Sequence, residues 1–310
     1  MFFIVTTGRS GSTSIAKYIS SSDNHICLHE PEPTLINEST KYLYKQFSHQ
    51  VMVETLKVTR PSHIKNKEYG ESNQKLSFII PAINDAFPES KFIWLVRDGR
   101  DVVNSIYSLG WYDPNLLQQS PWQINLPQAP EVGELNNTQW EAMSPFQKCC
   151  WYWSFTNKLI QQELSIIDPA RWILIHLECI DFDKINLFVG THDIKKNLPW
   201  SNKRKKIKKN KTWIDWDERK KYSFQELCGR QMDLLYPGWI SENGEWIDIF
   251  KLSSTIKVKN YFQNILVNVE GKQSLIYKIV SIPIKFIFKN KADKILIKLT
   301  VLYKKISGEL

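Results

Sequence analysis

The sequence predicts a three-layer α/β fold, with helices on both faces of a central, mainly parallel sheet, followed by a basic amphipathic extension. Two patterns predict it. Short continuous apolar runs, the mark of strands buried on both faces, recur along the chain and are separated by helical stretches. The first of these runs leads straight into a glycine-serine turn and then a helix, the order of a βα unit. The 310 residues suffice for one large domain with a sizeable core. We read residues 1–248 as that domain and 249–310 as the extension.

Taken in order, Phe2 to Thr6 is an apolar, β-branched run and reads as the first buried strand. Gly8-Arg9-Ser10-Gly11-Ser12-Thr13 is the turn, and a helix is expected over Ser14 to Ile19. Ile26 to His29 reads as a second strand, closed by Glu30-Pro31-Glu32-Pro33, where the prolines break regular structure. A helix follows from about Leu76 to Ala86, then a turn over Phe87 to Ser90 and a strand over Lys91 to Val96. That strand stops at Arg97-Asp98-Gly99-Arg100-Asp101, with Asp101 a candidate cap for the helix through Val102, Val103 and Ile106. Residues 110 to 145 hold Trp111, Tyr112, Trp122 and Trp140 with five prolines, a long irregular segment whose aromatic content argues against disorder. Pro145 to Ile167 reads as a long helix, Arg171 to Leu177 as a strand and Phe224 to Leu235 as the last helix of the domain.

Composition narrows the setting. A formal net charge of +9 points to anionic ligands or an anionic surface. The five cysteines include the adjacent Cys149 and Cys150 and form no C-x-x-C or Cys/His ligand spacing, so we expect a reduced, cytoplasmic chain without structural zinc or disulfides. The N-terminal MFFIVTTGRS lacks the charged segment and long apolar core of a signal peptide. No uninterrupted apolar run reaches the ~18 residues of a membrane-spanning helix.

Two motifs carry chemistry. In Thr6 to Ser14, TTGRSGSTS, the glycines let backbone N–H groups approach an anion, Arg9 adds a fixed positive charge, and Ser10, Ser12 and Thr13 add hydroxyls at a helix N-terminus. The placement between a buried strand and a helix suits capture of phosphate or sulfate. It is not a Walker A loop, because the Gly-Lys-Ser/Thr sequence is missing, and no convincing acidic strand end stands ready to hold magnesium. In the second motif, RDGRDVVNS, Arg97 closes a buried strand and Ser105 lies in the next helix, a guanidinium fork and a hydroxyl suited to phosphate oxygens. The plain alternative is an ordinary ion pair from Arg97 to Asp98 or Asp101.

Together these motifs resemble the sulfotransferase family. TTGRSGSTS looks like its 5′-phosphosulfate loop, and FIWLVRDGRDVVNS looks like its 3′-phosphate motif. The likeness runs to about Gly238 and takes in FPESKFIWLVRD, RWILIHLE and KTWIDWDE…FQELCG. It implies a P-loop-like α/β domain that uses 3′-phosphoadenosine 5′-phosphosulfate (PAPS) without a metal. Carried over by position, Gly8, Arg9, Ser10, Gly11, Ser12, Thr13 and Ser14 would form the 5′ site, with Arg9 on the bridging oxygen where the family commonly has Lys. Arg97 and Ser105 would hold the 3′-phosphate, and Lys203 and Arg204 are further candidates in the basic stretch SNKRKKIKKNKTW. Trp213 and Trp216 are read as packing that loop down.

The implied reaction is in-line displacement at sulfur, with a general base for the acceptor proton. Glu30 in LHEPEP is the first candidate, with His29 and Glu71 as alternatives. His29 and Glu30 are adjacent, and strand alternation would let only one of them reach the site. The aromatic segment from Trp111 to Trp153 is the expected acceptor side, suggesting a carbohydrate or glycolipid. Residues 251–310 hold twelve Lys against three acidic residues, with Ile295, Leu299, Leu302 and Ile306 at helical spacing. This pattern suggests contact with a membrane surface through residues 273–306, at the inner face. A nucleotide kinase or NTPase and a non-catalytic membrane-surface protein are the competing classes. A nucleic-acid partner is disfavoured, because the Lys203–Lys211 run lacks interleaved stacking aromatics.

Overall fold

The computed structural model describes residues 1–115, 125–191 and 212–240. The chain divides into two compact units, Met1–Leu252 and Ser253–Leu310, and every described residue lies in the first.

The first unit is an α/β fold around a six-stranded sheet in which the strands β1 (Phe2–Val5), β2 (His25–His29), β4 (Lys67–Ser72), β5 (Lys91–Val96) and β6 (Trp172–His176) run in the order β2-β4-β1-β5-β6. All four pairings along this path are parallel. The sixth strand, β3 (His63–Ile64), is a two-residue antiparallel addition to β4. Because the path is parallel, β1, β5 and β6 end at one edge: Val5 pairs with Trp94, and Val96 with His176.

Strand alternation divides the apolar residues between two layers. Phe2, Ile4, Ile93, Leu95 and Ile175 pack with Ile15 and Ile19 of α1 (Ser12–Ile19) and with Ile185 and Val189 of a helix over Phe182–Val189. Helices α2 (Ile36–Leu43) and α3 (His49–Thr59) follow β2 in the chain, and the other face is covered by α4 (Ile80–Ala86) and the long helix Pro145–Ser165. There Phe3 stacks on Phe87 with ring centroids 5.9 Å apart, and Trp94 Nε1 donates to Asn157 Oδ1 at 3.2 Å. The long helix starts as its sequence dictates: Ser144 and Gln147 form a reciprocal capping box, and Pro145 occupies the first turn, where no N–H is needed.

Three departures from the sequence reading have physical causes. The expected helix over 76–86 is a 3₁₀ turn, Gln74–Phe78, followed by α4, because Pro81 lacks the N–H that would continue a helix through it. The helix α5 (Gly99–Ser108) is capped by Asp98, whose side chain accepts from Arg100 N, and not by Asp101. The last helix begins at Glu218, ahead of the expected Phe224, because Asp217 caps it by accepting from Lys220 N. Among the described residues no helix is long and apolar enough to cross a membrane.

β4 is central, yet its sequence KEYGES reads as polar. Gly70 leaves room for the Phe2 ring, and the fully buried Glu71 is ion-paired to the equally buried Arg60 and accepts from Tyr69 Oη at 2.9 Å. Arg60 also donates to the Pro33 carbonyl at 2.8 Å. Arg60→Ala would strand a buried carboxylate, so denaturant unfolding should show a loss of about 3–5 kcal/mol. A loss below ~1 kcal/mol would mean that water reaches Glu71.

Candidate active site

The turn after β1 is held from beneath. Ser77 Oγ accepts from Thr6 N and donates to Thr6 O, each at 2.9 Å, and Tyr152 Oη donates to Thr7 O at 2.9 Å. Ser10 is buried, and its hydroxyl donates to Gly8 O at 3.0 Å. The backbone is left-handed at Gly8 (φ 75°), Arg9 (φ 54°) and Gly11 (φ 80°). Both glycines are also crowded: a Cβ on Gly8 would meet Gln74 Oε1 at 2.1 Å, and one on Gly11 would meet Leu177 Cδ1 at 2.5 Å.

Gly11 caps α1 without a side-chain hydrogen bond. Among the described residues the N–H groups of Gly11, Ser12 and Thr13 meet no acceptor, while those of Ser14 and Ile15 turn back to Gly11 O. Unused donors at a helix N-terminus, beside consecutive left-handed residues, are the donor set of an anion cradle.

The second motif joins this loop directly. Arg97 Nη1 donates to Arg9 O at 3.0 Å, and Arg9 Nε donates to Ser105 Oγ at 3.2 Å, across 88 and 96 residues of sequence. Arg97 Nη2 pairs with Asp101 at 3.0 Å. Arg9, Arg97 and Ser105, singled out separately in the sequence, are thus one cluster, and the ordinary ion pair of Arg97 exists alongside it. Asp98 pairs instead with Arg100, both fully buried, at 2.8 Å.

The base candidates sort by environment. Glu71 is spent on Arg60 in the core and reaches no site. His29 and Glu30 both stand beside the loop: His29 Nε2 lies 2.8 Å from Thr13 Oγ1 and 3.7 Å from Glu30 Oε1. The alternation argument fails because Glu30 has a left-handed backbone (φ 51°), which ends the strand and turns the carboxylate toward its neighbour. His29 Nδ1 contacts Ser72 O at 3.1 Å. Burial raises the Glu30 carboxyl above its ordinary range. Burial also lowers His29, helped by nearby Lys17 and opposed by the Ser72 carbonyl.

Some expectations change. The hydroxyls of Ser10 and Thr13 have partners within the protein, so these residues offer an anion their backbone donors. Trp111, Tyr112, Trp140, Trp151, Tyr152 and Trp153 are buried and largely packed edge to face, as Trp140 and Trp151 are at 5.0 Å. They are core, not an exposed acceptor platform. The basic loop that Trp213 and Trp216 are read as packing down lies outside the described residues; the Arg100 guanidinium sits 4.3 Å from the Trp213 ring, and Trp216 Nε1 donates to Asn104 Oδ1 at 3.0 Å. Lys203, Arg204, Trp122 and residues 273–306 lie outside the described residues. The sequence reading missed Gln74 and Leu177, whose side chains back the two glycines. Nothing in their residue type signals that role.

No protein-family model matches the chain, and no curated protein sequence matches it. Among solved structures, a sulfotransferase domain from the curacin biosynthetic pathway is similar at 16% identity and a TM-score of 0.40, covering 62% of this chain and 74% of that one. A sulfotransferase from Alicyclobacillus acidocaldarius is similar at 15% identity and a TM-score of 0.44, covering 75% and 94%. Both of these structures are sulfotransferases.

Gly11→Ala tests the cradle. The left-handed φ strains any L side chain, so thermal unfolding should show a loss of roughly 1–3 kcal/mol. Adding Leu177→Ala removes the contact but not the backbone strain. A double variant as stable as Leu177→Ala alone would refute the requirement for glycine.

Proposed function

We propose that this chain is a sulfotransferase that moves the sulfuryl group of PAPS to a hydroxyl or amine acceptor. The observation that carries the proposal is the Arg97–Arg9–Ser105 linkage at the N-terminus of α1, which sets two anion-binding motifs side by side. A donor with phosphates at both 5′ and 3′ positions matches two such motifs. A 5′-phosphate alone would use only the first. The residues fit the donor: the N–H groups of Gly11, Ser12 and Thr13 suit the 5′ side, and Arg97 with Ser105 suits the 3′-phosphate.

In this reading Glu30 takes the acceptor proton as the acceptor oxygen or nitrogen bonds to sulfur. The sulfur–oxygen bond to the 5′-phosphate breaks, and Arg9 meets the negative charge gathering on the leaving oxygen. His29, hydrogen-bonded to Thr13 and to the Ser72 carbonyl, holds the wall against which Glu30 rests.

Calorimetry with 3′,5′-adenosine diphosphate and 5′-AMP decides the donor. The bisphosphate should bind more tightly, and Arg97→Ala should remove about 1.5–3 kcal/mol of that preference. Equal binding of the two nucleotides by the wild type would defeat the assignment.

Glu30→Gln separates base from binding. Bisphosphate affinity should stay within about twofold, while transfer to an accepted substrate falls by roughly 10²–10⁴. A carboxylate base must be ionised, so wild-type transfer should rise with pH through the raised Glu30 pKa. The variant should lose that acid limb. An unchanged pH–rate profile would move the role elsewhere.

A further inference from the structure

The edge of the sheet where β1 and β5 end is braced by one short turn, the 3₁₀ segment Leu177–Cys179 that follows β6. Leu177 lies against Gly11 of the first motif. The next residue, Glu178, accepts from Asp98 N at 2.8 Å through Oε1 and from Tyr236 Oη at 3.0 Å through Oε2. Glu178 is half-buried as a residue, but both its carboxylate oxygens are taken by buried partners.

Asp98 N belongs to the peptide that joins Arg97 to Asp98. A hydrogen bond to that N–H fixes the plane of the peptide and so the direction in which Arg97 leaves β5. From there Arg97 reaches Arg9 O and Asp101. The Asp98 carboxylate cannot do this work, since it is committed to Arg100 and to capping α5.

We infer that Glu178 is a positioning residue for Arg97: its carboxylate, steadied by Tyr236 at the end of the last helix, orients the peptide that aims the Arg97 guanidinium at the 3′-phosphate of the donor. This inference rests on the sulfotransferase reading. It adds a carboxylate that touches neither nucleotide nor acceptor yet sets which nucleotide the site prefers.

Burial pushes the Glu178 carboxyl up to about 7, against the Asp98 N–H that favours its ionised form. A neutral amide is therefore a close stand-in. Gln at this position keeps an oxygen for Asp98 N and an NH₂ for the Tyr236 oxygen.

The test is calorimetric binding of 3′,5′-adenosine diphosphate and 5′-AMP to wild type, Glu178→Ala, Glu178→Gln, Arg97→Ala and the Glu178→Ala/Arg97→Ala double variant. Glu178→Ala should weaken the bisphosphate by about tenfold and leave AMP within about twofold, the effect expected of one misdirected charged contact. Glu178→Gln should restore the preference. In the double variant, loss of Glu178 should add nothing to loss of Arg97, because coupled residues are not additive. If Glu178→Ala does not melt cooperatively, Glu178→Asp carries the test: a side chain one methylene shorter cannot span both partners, and it should show the same selective loss. A parallel drop for both nucleotides, an additive double variant, or no rescue by Gln would overturn the inference and leave Glu178 a support of the fold alone. A wild type with no preference for the bisphosphate would overturn the donor assignment itself and this inference with it, and the wild-type titrations alone identify that outcome.

Discussion

The hydrogen bond from Arg97 Nη1 to the carbonyl of Arg9 joins the ends of two neighbouring parallel strands, and most of the site's geometry follows from it. Parallel pairing of β1 with β5 brings the two C-terminal ends to the same edge but does not fix how their loops meet. The bond does. It takes the carbonyl of a left-handed residue, whose unusual backbone directs that oxygen away from the helix ladder. The Arg9 side chain is then free to reach Ser105 on α5. One backbone conformation thus supplies an acceptor for one guanidinium and a direction for another. Two cations held side by side repel each other, and an anion between them relieves that repulsion. Asp101 relieves part of it by pairing with Arg97.

The edge is stiffened by groups that no ligand would touch. Ser77 and Gln74 of one 3₁₀ turn, Tyr152 of the long helix and Leu177 after β6 come from three separate elements and all meet the first loop. Asp98, Arg100, Glu178 and Tyr236 make a second buried network behind the other motif. The Arg100 guanidinium stacks on Trp213 and donates to the Trp239 carbonyl, which ties residues near the end of the described chain to the start of α5. Networks whose members are all satisfied rigidify a core and favour a single arrangement of it. A site that recognises charge through backbone N–H groups needs that rigidity, because it cannot adjust rotamers to find its ligand.

The legible parts of this fold were those where local chemistry agrees with tertiary structure. β1 and β5 are apolar runs buried on both faces, β6 is a partly buried apolar run at the end of the sheet, and their positions follow from hydrophobicity alone. The glycine turn is legible because only a few residue types tolerate its backbone. β4 was not legible. It lies between β1 and β2, yet it carries Lys67, Glu68, Glu71 and Ser72, and its burial depends on Arg60, eleven residues earlier at the end of the preceding helix, whose charge cancels that of Glu71. Strand propensity cannot see a charge neutralised from another element. The tryptophans failed in the opposite sense: Trp140, Trp151 and Trp153 suggested a binding surface, but their area is spent on one another and on the helices. Composition records how much aromatic surface exists and not which side of it faces water.

The placement of His29 and Glu30 shows why the candidate bases were the hardest part to read. Period-two alternation assigns neighbours to opposite faces only while the backbone stays extended. At Glu30 the chain turns left-handed, yet its N–H still bonds to Ser72 O, as a continuing strand would. The pairing persists for one residue after the conformation has changed, so both side chains end on the loop side of the sheet. Burial then acts on them in the same direction chemically, because each is pushed toward its neutral form. Neither shift favours an ion pair between them, and the imidazole is held instead by Thr13 on one side and Ser72 on the other. Thr13 belongs to the anion loop, so a ligand that tightens the N-terminus of α1 also tightens the seat of the imidazole. The first loop and the His29–Glu30 corner meet at that hydroxyl.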